Sequence, residues 1–122
     1  MNLAELFRHE SNLIAVAAGQ TLFSAGETGD AMYVLVEGEA SVIVGGTVVE
    51  ESAPGAVLGE MALIDREPRI ASVVAKTACK FAKIELKRFH FLISQTPNFA
   101  THVMGIMANR LRRMDRMLAG RQ

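Results

Sequence analysis

Short strand-like segments at close intervals are the feature that most limits what this chain can fold into. They are rich in apolar and β-branched residues, and turn-forming residues separate them. Such segments are predicted at residues 20–24, 31–36, 40–44, 47–51, 71–75 and 78–85. Gly45 and Gly46 form a two-residue hairpin signal between two of these segments. This spacing is typical of a β-sandwich or barrel and not of a parallel sheet.

Helical periodicity appears at both ends of the chain. Residues 1–18 are predicted as an N-terminal helical segment, with Asn2 as a possible N-cap. Residues 86–122 are predicted as two helices that Pro97 separates, the second from Asn98 to Leu118. The pattern therefore predicts strands over residues 19–85 with helices on either side.

The second C-terminal helix carries an apolar stripe with steps of three and four residues. Its members are Met104, Met107, Leu111, Met114 and Leu118. One interpretation is an amphipathic helix packed on its own barrel. The other is a helix shared between packing, covering a ligand and meeting a second copy or an effector protein. The end of the helix is basic, with Arg110, Arg112, Arg113, Arg116 and Arg121 against one Asp115.

A central segment, residues 55–73, combines hinge glycines with a short helical run. Gly55 and Gly59 permit backbone conformations that other residues avoid, and Pro68 is expected to end the run just before Arg69. Unpaired N–H groups at the start of a short helix attract an anion. The segment therefore suits a phosphate group.

Two charged side chains in this segment, nine positions apart, indicate a more particular ligand. Arg69 can present a charged fork to a phosphate, whereas Glu60 has the wrong charge to do so. A carboxylate can instead accept a hydrogen bond from a hydroxyl. The pair therefore suits a ligand with a phosphate beside a sugar hydroxyl.

Composition excludes several classes of protein. The 122 residues suffice for one cored domain, and 13 basic residues balance 13 acidic ones, so no overall field would gather nucleic acid or an anionic membrane. Cys79 is the single cysteine and is expected to be a small buried residue. No run resembles a membrane span or a signal peptide, which favours a cytoplasmic protein.

The segment LGEMALIDREPRIAS, Leu58–Ser72, closely resembles the phosphate-binding cassette of cyclic nucleotide-binding domains. Such domains occur in catabolite-activator-type regulators, cyclic-nucleotide-dependent kinases and cyclic-nucleotide-gated channels. The segment GETGDAMYVLVEGEASV, Gly26–Val42, resembles the early strands of the same family. The resemblance covers nearly the whole chain. It implies an eight-stranded double-stranded β-helix, or β-roll, at residues 19–85, with the cassette at 57–73.

The resemblance also implies roles for individual residues. Arg69 would pair with the cyclic phosphate, and Glu60 would accept from the ribose 2′-hydroxyl. Backbone groups would complete the cradle at Gly59, Met61, Ala62, Ile70 and Ala71. The implied ligand is cAMP or cGMP, with no separate cofactor, metal or catalytic residue.

Two cassette positions depart from the family pattern. Leu58 stands where many members have phenylalanine, which trims the apolar wall. Ile70 follows the arginine where cGMP-preferring members often carry threonine, so the 2-amino group of cGMP loses a partner. This favours cAMP. Arg110 falls near the position from which some members contact the base.

The same residues argue against several other functions. A metal-dependent cupin-like enzyme needs clustered ligands on strands, whereas His9, His90 and His102 fall in predicted helical segments. Haem or iron–sulfur sensing is disfavoured by the single cysteine. A DNA-binding regulator would need a helix-turn-helix, for which about 25 residues after Pro97 leave no room. No nucleic-acid partner is therefore expected.

A domain that has kept the fold and lost the ligand is a further alternative, against which Gly59, Glu60 and Arg69 argue. The sequence therefore predicts a single sensor domain over residues 1–122 that does no chemistry. Ligand occupancy would be relayed through the helix at residues 98–118 to a second copy or an effector.

Overall fold

A computed structural model describes residues Met1–Gly120, which fall into two units. The first unit spans Asn2–Arg88, and the second contains Met1 and the residues from Phe89 onward. The elements, in chain order, are α1 Leu3–Phe7, β1 Ile14–Val16, β2 Thr21–Phe23, β3 Ala31–Glu37, β4 Ala40–Val44, β5 Thr47–Ser52, β6 Val57–Leu58, α2 Glu60–Asp65, β7 Ser72–Ala75, β8 Cys79–Glu85, α3 Leu86–Gln95 and α4 Asn98–Ala119. The prediction that residues 1–122 form one domain stays a prediction.

The first unit contains two antiparallel four-stranded sheets. Their strand orders are β1-β8-β3-β6 and β2-β7-β4-β5. The chain changes sheet repeatedly, and β7 and β8 each lie between two partners. The prediction of an eight-stranded β-roll with flanking helices is confirmed.

The core of this unit draws side chains from both sheets. Its buried cluster comprises Phe23, Leu35, Ala40, Leu58, Val73, Ala75, Cys79 and Phe81. In β8, Phe81, Ala82 and Ile84 are buried and Lys80 and Lys83 are exposed. Successive side chains point to opposite faces of a strand, so β8 buries residues on both of its faces. The core includes Leu58, which lies within the central segment.

The N-terminal prediction was wrong beyond Phe7. Asn2 does cap α1, since its Oδ1 accepts from the Glu5 N–H at 3.2 Å. The helix, however, ends at Phe7, and Ile14–Val16 forms β1, which pairs with Cys79–Phe81 of β8. Pairing with a distant strand thus overrides the helical spacing of the apolar residues. His9 accordingly lies in a turn and not in a helix.

Strand predictions after residue 19 were confirmed with small shifts in their ends, but one strand was missed. β6 has two residues, Val57–Leu58, which pair with Val34 and Tyr33 of β3. The helical run in the central segment extends over Glu60–Asp65. It ends at Arg66, whose φ of 59° is left-handed and whose N–H donates to the Ala62 carbonyl, so Pro68 is not what stops it.

Two sheet-crossing turns meet at one corner of the roll. Gly38 and Glu39 join β3 to β4, and the Glu39 carbonyl accepts from the N–H groups of Lys76 and Thr77, which join β7 to β8. The thiol of Cys79 also donates to the Glu39 carbonyl at 3.1 Å. Burial raises the pKa of the Cys79 thiol, so it stays protonated at neutral pH. This agrees with the expectation of a small buried residue.

The second unit contains most of α3 and all of α4. Phe89 and Phe99 meet edge to face, with ring centroids 5.7 Å apart, and Phe99 and Val103 are buried. The division into two helices at Pro97 is confirmed. No helix within Met1–Gly120 combines the length and apolar character needed to cross a membrane.

The apolar stripe of α4 is largely exposed. Met104, Leu111, Met114 and Leu118 each keep more than half of their surface accessible. Both interpretations of the stripe stay predictions. Arg112, Arg113 and Arg116 are exposed as well, whereas Arg121 lies outside the described residues.

Candidate functional site

The site begins where β6 gives way to α2. Leu58 ends the strand inside the core, and Gly59 then turns the chain with a left-handed φ of 77°. Only glycine adopts this conformation readily. A side chain at Gly59 would also overlap Nη1 of Arg69. The glycine is therefore required by both the turn and the arginine.

Arg69 lies inside the fold although it carries a charge. It is 7% exposed, and its Nη2 donates to the Ala31 carbonyl at 2.8 Å. Its Nη1 donates to the Gly59 carbonyl at 3.4 Å, near the limit of a hydrogen bond. Both acceptors are neutral carbonyls. None of the ion pairs described within residues 1–120 includes Arg69.

Aromatic rings flank the same guanidinium. Cζ of Arg69 lies 3.9 Å from the Phe23 ring centroid and 5.8 Å from that of Tyr33. Both distances fall within the range of cation–π attraction. The rings and carbonyls hold the charge without neutralising it, so an anion remains a favourable partner.

The β2–β3 turn holds the main chain of Arg69. The Gly26 N–H donates to the Arg69 carbonyl at 2.7 Å, and the Arg69 N–H donates to the Glu27 carbonyl at 2.9 Å. Nearby, the Ala25 N–H donates to Oγ of Ser72 at 2.9 Å. Backbone and side chain of the arginine are therefore both fixed.

Helix α2 places its residues on two faces. Glu60, Ala62 and Leu63 are buried, and Glu60 is only 4% exposed. Met61 and Ile64 are about half exposed. A carboxylate in the first turn of a helix is stabilised by the helix dipole, which helps to offset its burial.

The other predicted site residues are distributed as follows. Ala71 is partly buried, whereas Ile70 is 64% exposed. Arg110 is partly buried and belongs to α4 in the second unit. Among the predicted site residues, Gly59 and Arg69 are in direct contact, through the hydrogen bond from Nη1 of Arg69 to the Gly59 carbonyl.

Sequence reasoning missed the residues that surround Arg69. Phe23, Gly29, Ala31 and Tyr33 all lie far from it in the sequence. The turn chemistry of residues 25–30 and the strand pattern after it were recognised, but neither pattern indicates a partner about 40 residues away. The sequence signal for this contact was the glycine at position 29, where a side chain would overlap Arg69.

The chain is similar to one protein family and to several known proteins. The family model described as "Cyclic nucleotide-binding domain" matches residues 13–96. A cyclic nucleotide-gated potassium channel of Mesorhizobium japonicum is 42% identical over 85 residues, covering 70% of this chain and 23% of the channel. A cAMP-dependent protein kinase regulatory subunit of Aspergillus niger is 42% identical over 82 residues, covering 66% of this chain and 20% of the subunit.

Among solved structures, the catabolite activator protein of Thermus thermophilus superposes with a TM-score of 0.78 at 28% identity. The match covers 88% of this chain and 53% of that protein. The chain therefore spans about a fifth to a quarter of the two curated relatives and about half of the solved one.

Proposed function

We propose that this chain, which belongs to the cyclic nucleotide-binding domain family, is a sensor that prefers cAMP, does no chemistry and relays occupancy through α4. As a member of that family it is a cyclic nucleotide-binding regulatory domain. The preference for cAMP, the absence of catalysis and the relay are the parts that need testing.

The observation that carries the proposal is the fixed guanidinium of Arg69. Two of its five donors bind carbonyls, and none of the ion pairs described in residues 1–120 neutralises it. A cyclic phosphate would accept charge-assisted hydrogen bonds from it, each worth roughly 1.5–3 kcal/mol. Arg69 is therefore assigned to the phosphate.

The remaining contacts follow from the cassette. Glu60 would accept from the ribose 2′-hydroxyl, and Leu58 would form part of the apolar wall. Backbone groups of Gly59, Met61, Ala62, Ile70 and Ala71 would surround the phosphate, and Arg110 would approach the base. Glu60 lies in the first turn of α2, and an ionised carboxylate can accept a hydrogen bond from a hydroxyl.

Two observations support cAMP over cGMP. Ile70 has no hydroxyl with which to bind the 2-amino group of guanine. The kinase regulatory subunit similar to this chain is named as cAMP-dependent. A preference of this kind comes from one missing hydrogen bond, so cGMP is expected to bind as well, but more weakly.

Calorimetry with cAMP, cGMP, 2′-deoxy-cAMP and 5′-AMP tests the proposal. We expect cAMP to bind with a dissociation constant below about 30 μM and to bind more tightly than cGMP. The 2′-deoxy ligand should bind at least about tenfold more weakly, because Glu60 loses its donor. Absence of cAMP binding would favour the fold-retaining alternative, and equal affinity for 5′-AMP would refute recognition of the cyclic phosphate.

The proposed relay uses the exposed stripe of α4 as a surface for a second copy of the chain. Met104, Met107, Leu111, Met114 and Leu118 follow a heptad, and a seam of this kind packs in a coiled coil. Addition of cAMP should change the association constant measured by sedimentation and the hydrogen exchange of α4. An effector protein is the alternative partner.

Two methionines of α4 provide a matched pair for this test. Met114 lies on the stripe and is 58% exposed, whereas Met117 lies beside it and is 56% exposed. We expect Met114→Glu to weaken self-association by at least about tenfold and Met117→Glu to have a smaller effect. Equal effects of the two variants, or a monomer at all concentrations with and without cAMP, would contradict a self-association surface on this face.

A further inference from the structure

The backbone of Gly29 lies so close to the guanidinium of Arg69 that position 29 has no room for a side chain. A Cβ built on Gly29 would lie 2.6 Å from Cζ of Arg69, 2.8 Å from Nε and 2.9 Å from Nη2. The central carbon would be nearer than either nitrogen, so the added atom would sit over the face of the planar group and not at its edge. The bare backbone at position 29 thus forms one wall of the slot that holds the arginine.

The backbone of Gly29 does not itself require glycine. The glycines with a positive φ in this chain are at positions 19, 26, 38, 45, 46, 55 and 59, and Gly29 is not among them. The three atoms nearest to its added Cβ all belong to Arg69. Arg69 is therefore the reason that a side chain is excluded at this buried position.

Phe23 supplies a second wall of the slot. Its ring centroid lies 3.9 Å from Cζ of Arg69, and Phe23 is 6% exposed. Gly59 borders both groups, because a Cβ there would overlap Nη1 of Arg69 and approach Cε2 of Phe23 to 3.2 Å. Together with the two carbonyl acceptors, these walls favour one orientation of the guanidinium.

We propose that Gly29 and Phe23 are positioning residues that set the guanidinium of Arg69 in the orientation that receives the cyclic phosphate. The inference rests on the proposed function. A methyl group at position 29 would push the guanidinium away, and because an arginine side chain is flexible, it would yield before the backbone does. The main effect should therefore be on ligand affinity and less on stability.

The first test is a double-mutant cycle with Gly29→Ala and Arg69→Ala, read by cAMP calorimetry and thermal unfolding. We expect Gly29→Ala to weaken cAMP binding by about tenfold or more while lowering the melting temperature by less than about 5 °C. In the Arg69→Ala background, Gly29→Ala should change neither the residual affinity nor the melting temperature. A purely structural glycine would instead lower the melting temperature equally in both backgrounds and leave the affinity of the folded protein unchanged.

The second test keeps the proposal open to refutation if Gly29→Ala folds poorly. Phe23→Leu removes the ring beside Arg69, and Phe81→Leu makes the same change at a core ring that meets Tyr33. We expect Phe23→Leu to weaken cAMP binding roughly 3- to 30-fold and Phe81→Leu to leave it within about twofold. Equal affinities of these two variants would overturn the role of Phe23.

The outcomes separate this inference from the proposed function. If the wild type does not bind cAMP or cGMP, the proposed function fails, and the positioning role fails with it. If the wild type binds and Gly29→Ala binds equally well, only the positioning role of Gly29 is overturned. Loss of affinity in Gly29→Ala that persists at full size in the Arg69→Ala background would also overturn it, since the effect would not pass through Arg69.

Discussion

Replacing Arg69 with alanine is expected to lower the affinity for cAMP by at least about 100-fold. In the proposed complex the guanidinium gives the phosphate two charge-assisted hydrogen bonds, each worth roughly 1.5–3 kcal/mol, so their loss corresponds to a factor of about 10² to 10⁴. The burial of Arg69 keeps water from replacing these bonds. Calorimetry with cAMP measures the effect, and circular dichroism shows whether the variant is folded.

Arg66→Ala is the control for this prediction. Arg66 lies three residues before Arg69 in the same cassette and is exposed in a left-handed conformation at the end of α2. Its replacement removes one positive charge without touching the slot. We expect affinity within about threefold of the wild type. Similar losses in both variants would mean that overall charge, and not the fork of Arg69, attracts the ligand.

Replacing Gly38 with alanine is expected to destabilise the fold by roughly 2–5 kcal/mol. Gly38 has a φ of 93°, which costs an L-residue about 1–2 kcal/mol. The added Cβ would also overlap the Ala78 carbonyl oxygen and come within 2.9 Å of Sγ of Cys79. Overpacking against backbone costs about 1–3 kcal/mol more. Urea denaturation measures the change in the free energy of unfolding.

Gly55→Ala separates the two causes. Gly55 has a φ of 99°, close to that of Gly38, but an added Cβ would meet nothing within 4 Å. Its replacement should therefore cost only the conformational part, about 1–2 kcal/mol. If the two variants lose equal stability, the close approach at the corner of the roll contributes nothing.

The part of the fold that the sequence predicted best is the part with local signals. β4 and β5 were placed nearly to the residue, because β-branched runs flank Gly45 and Gly46 and the hairpin joins neighbours in sequence. β1 and β6 were missed. They have three and two residues, too few to show a period, and their extended form depends on pairing with β8 and β3.

In the candidate site, too, features with a local sequence signal were predicted and features that depend on distant contacts were not. Glu60 and Arg69 were identified from their charges within one short segment and from the resemblance to the family motif. Their assignment to hydroxyl and phosphate stays a prediction. The walls around Arg69 were not identified. Gly29 and Phe23 contact Arg69 because the β2–β3 turn folds over the cassette, and no local sequence pattern indicates that contact.

The order of strands in the two sheets has a consequence for synthesis of the protein. β1 and β3 both pair with β8, and β2 and β4 both pair with β7. Strands from the first part of the chain therefore stay without these partners until the later strands have been synthesised. On the ribosome, neither sheet can close until residues 72–85 have emerged. Such non-local pairing makes folding slow and leaves apolar strands unpaired meanwhile. Most of the cassette is translated before these strands, so the arrangement of residues around Arg69 forms only after the cassette has been synthesised.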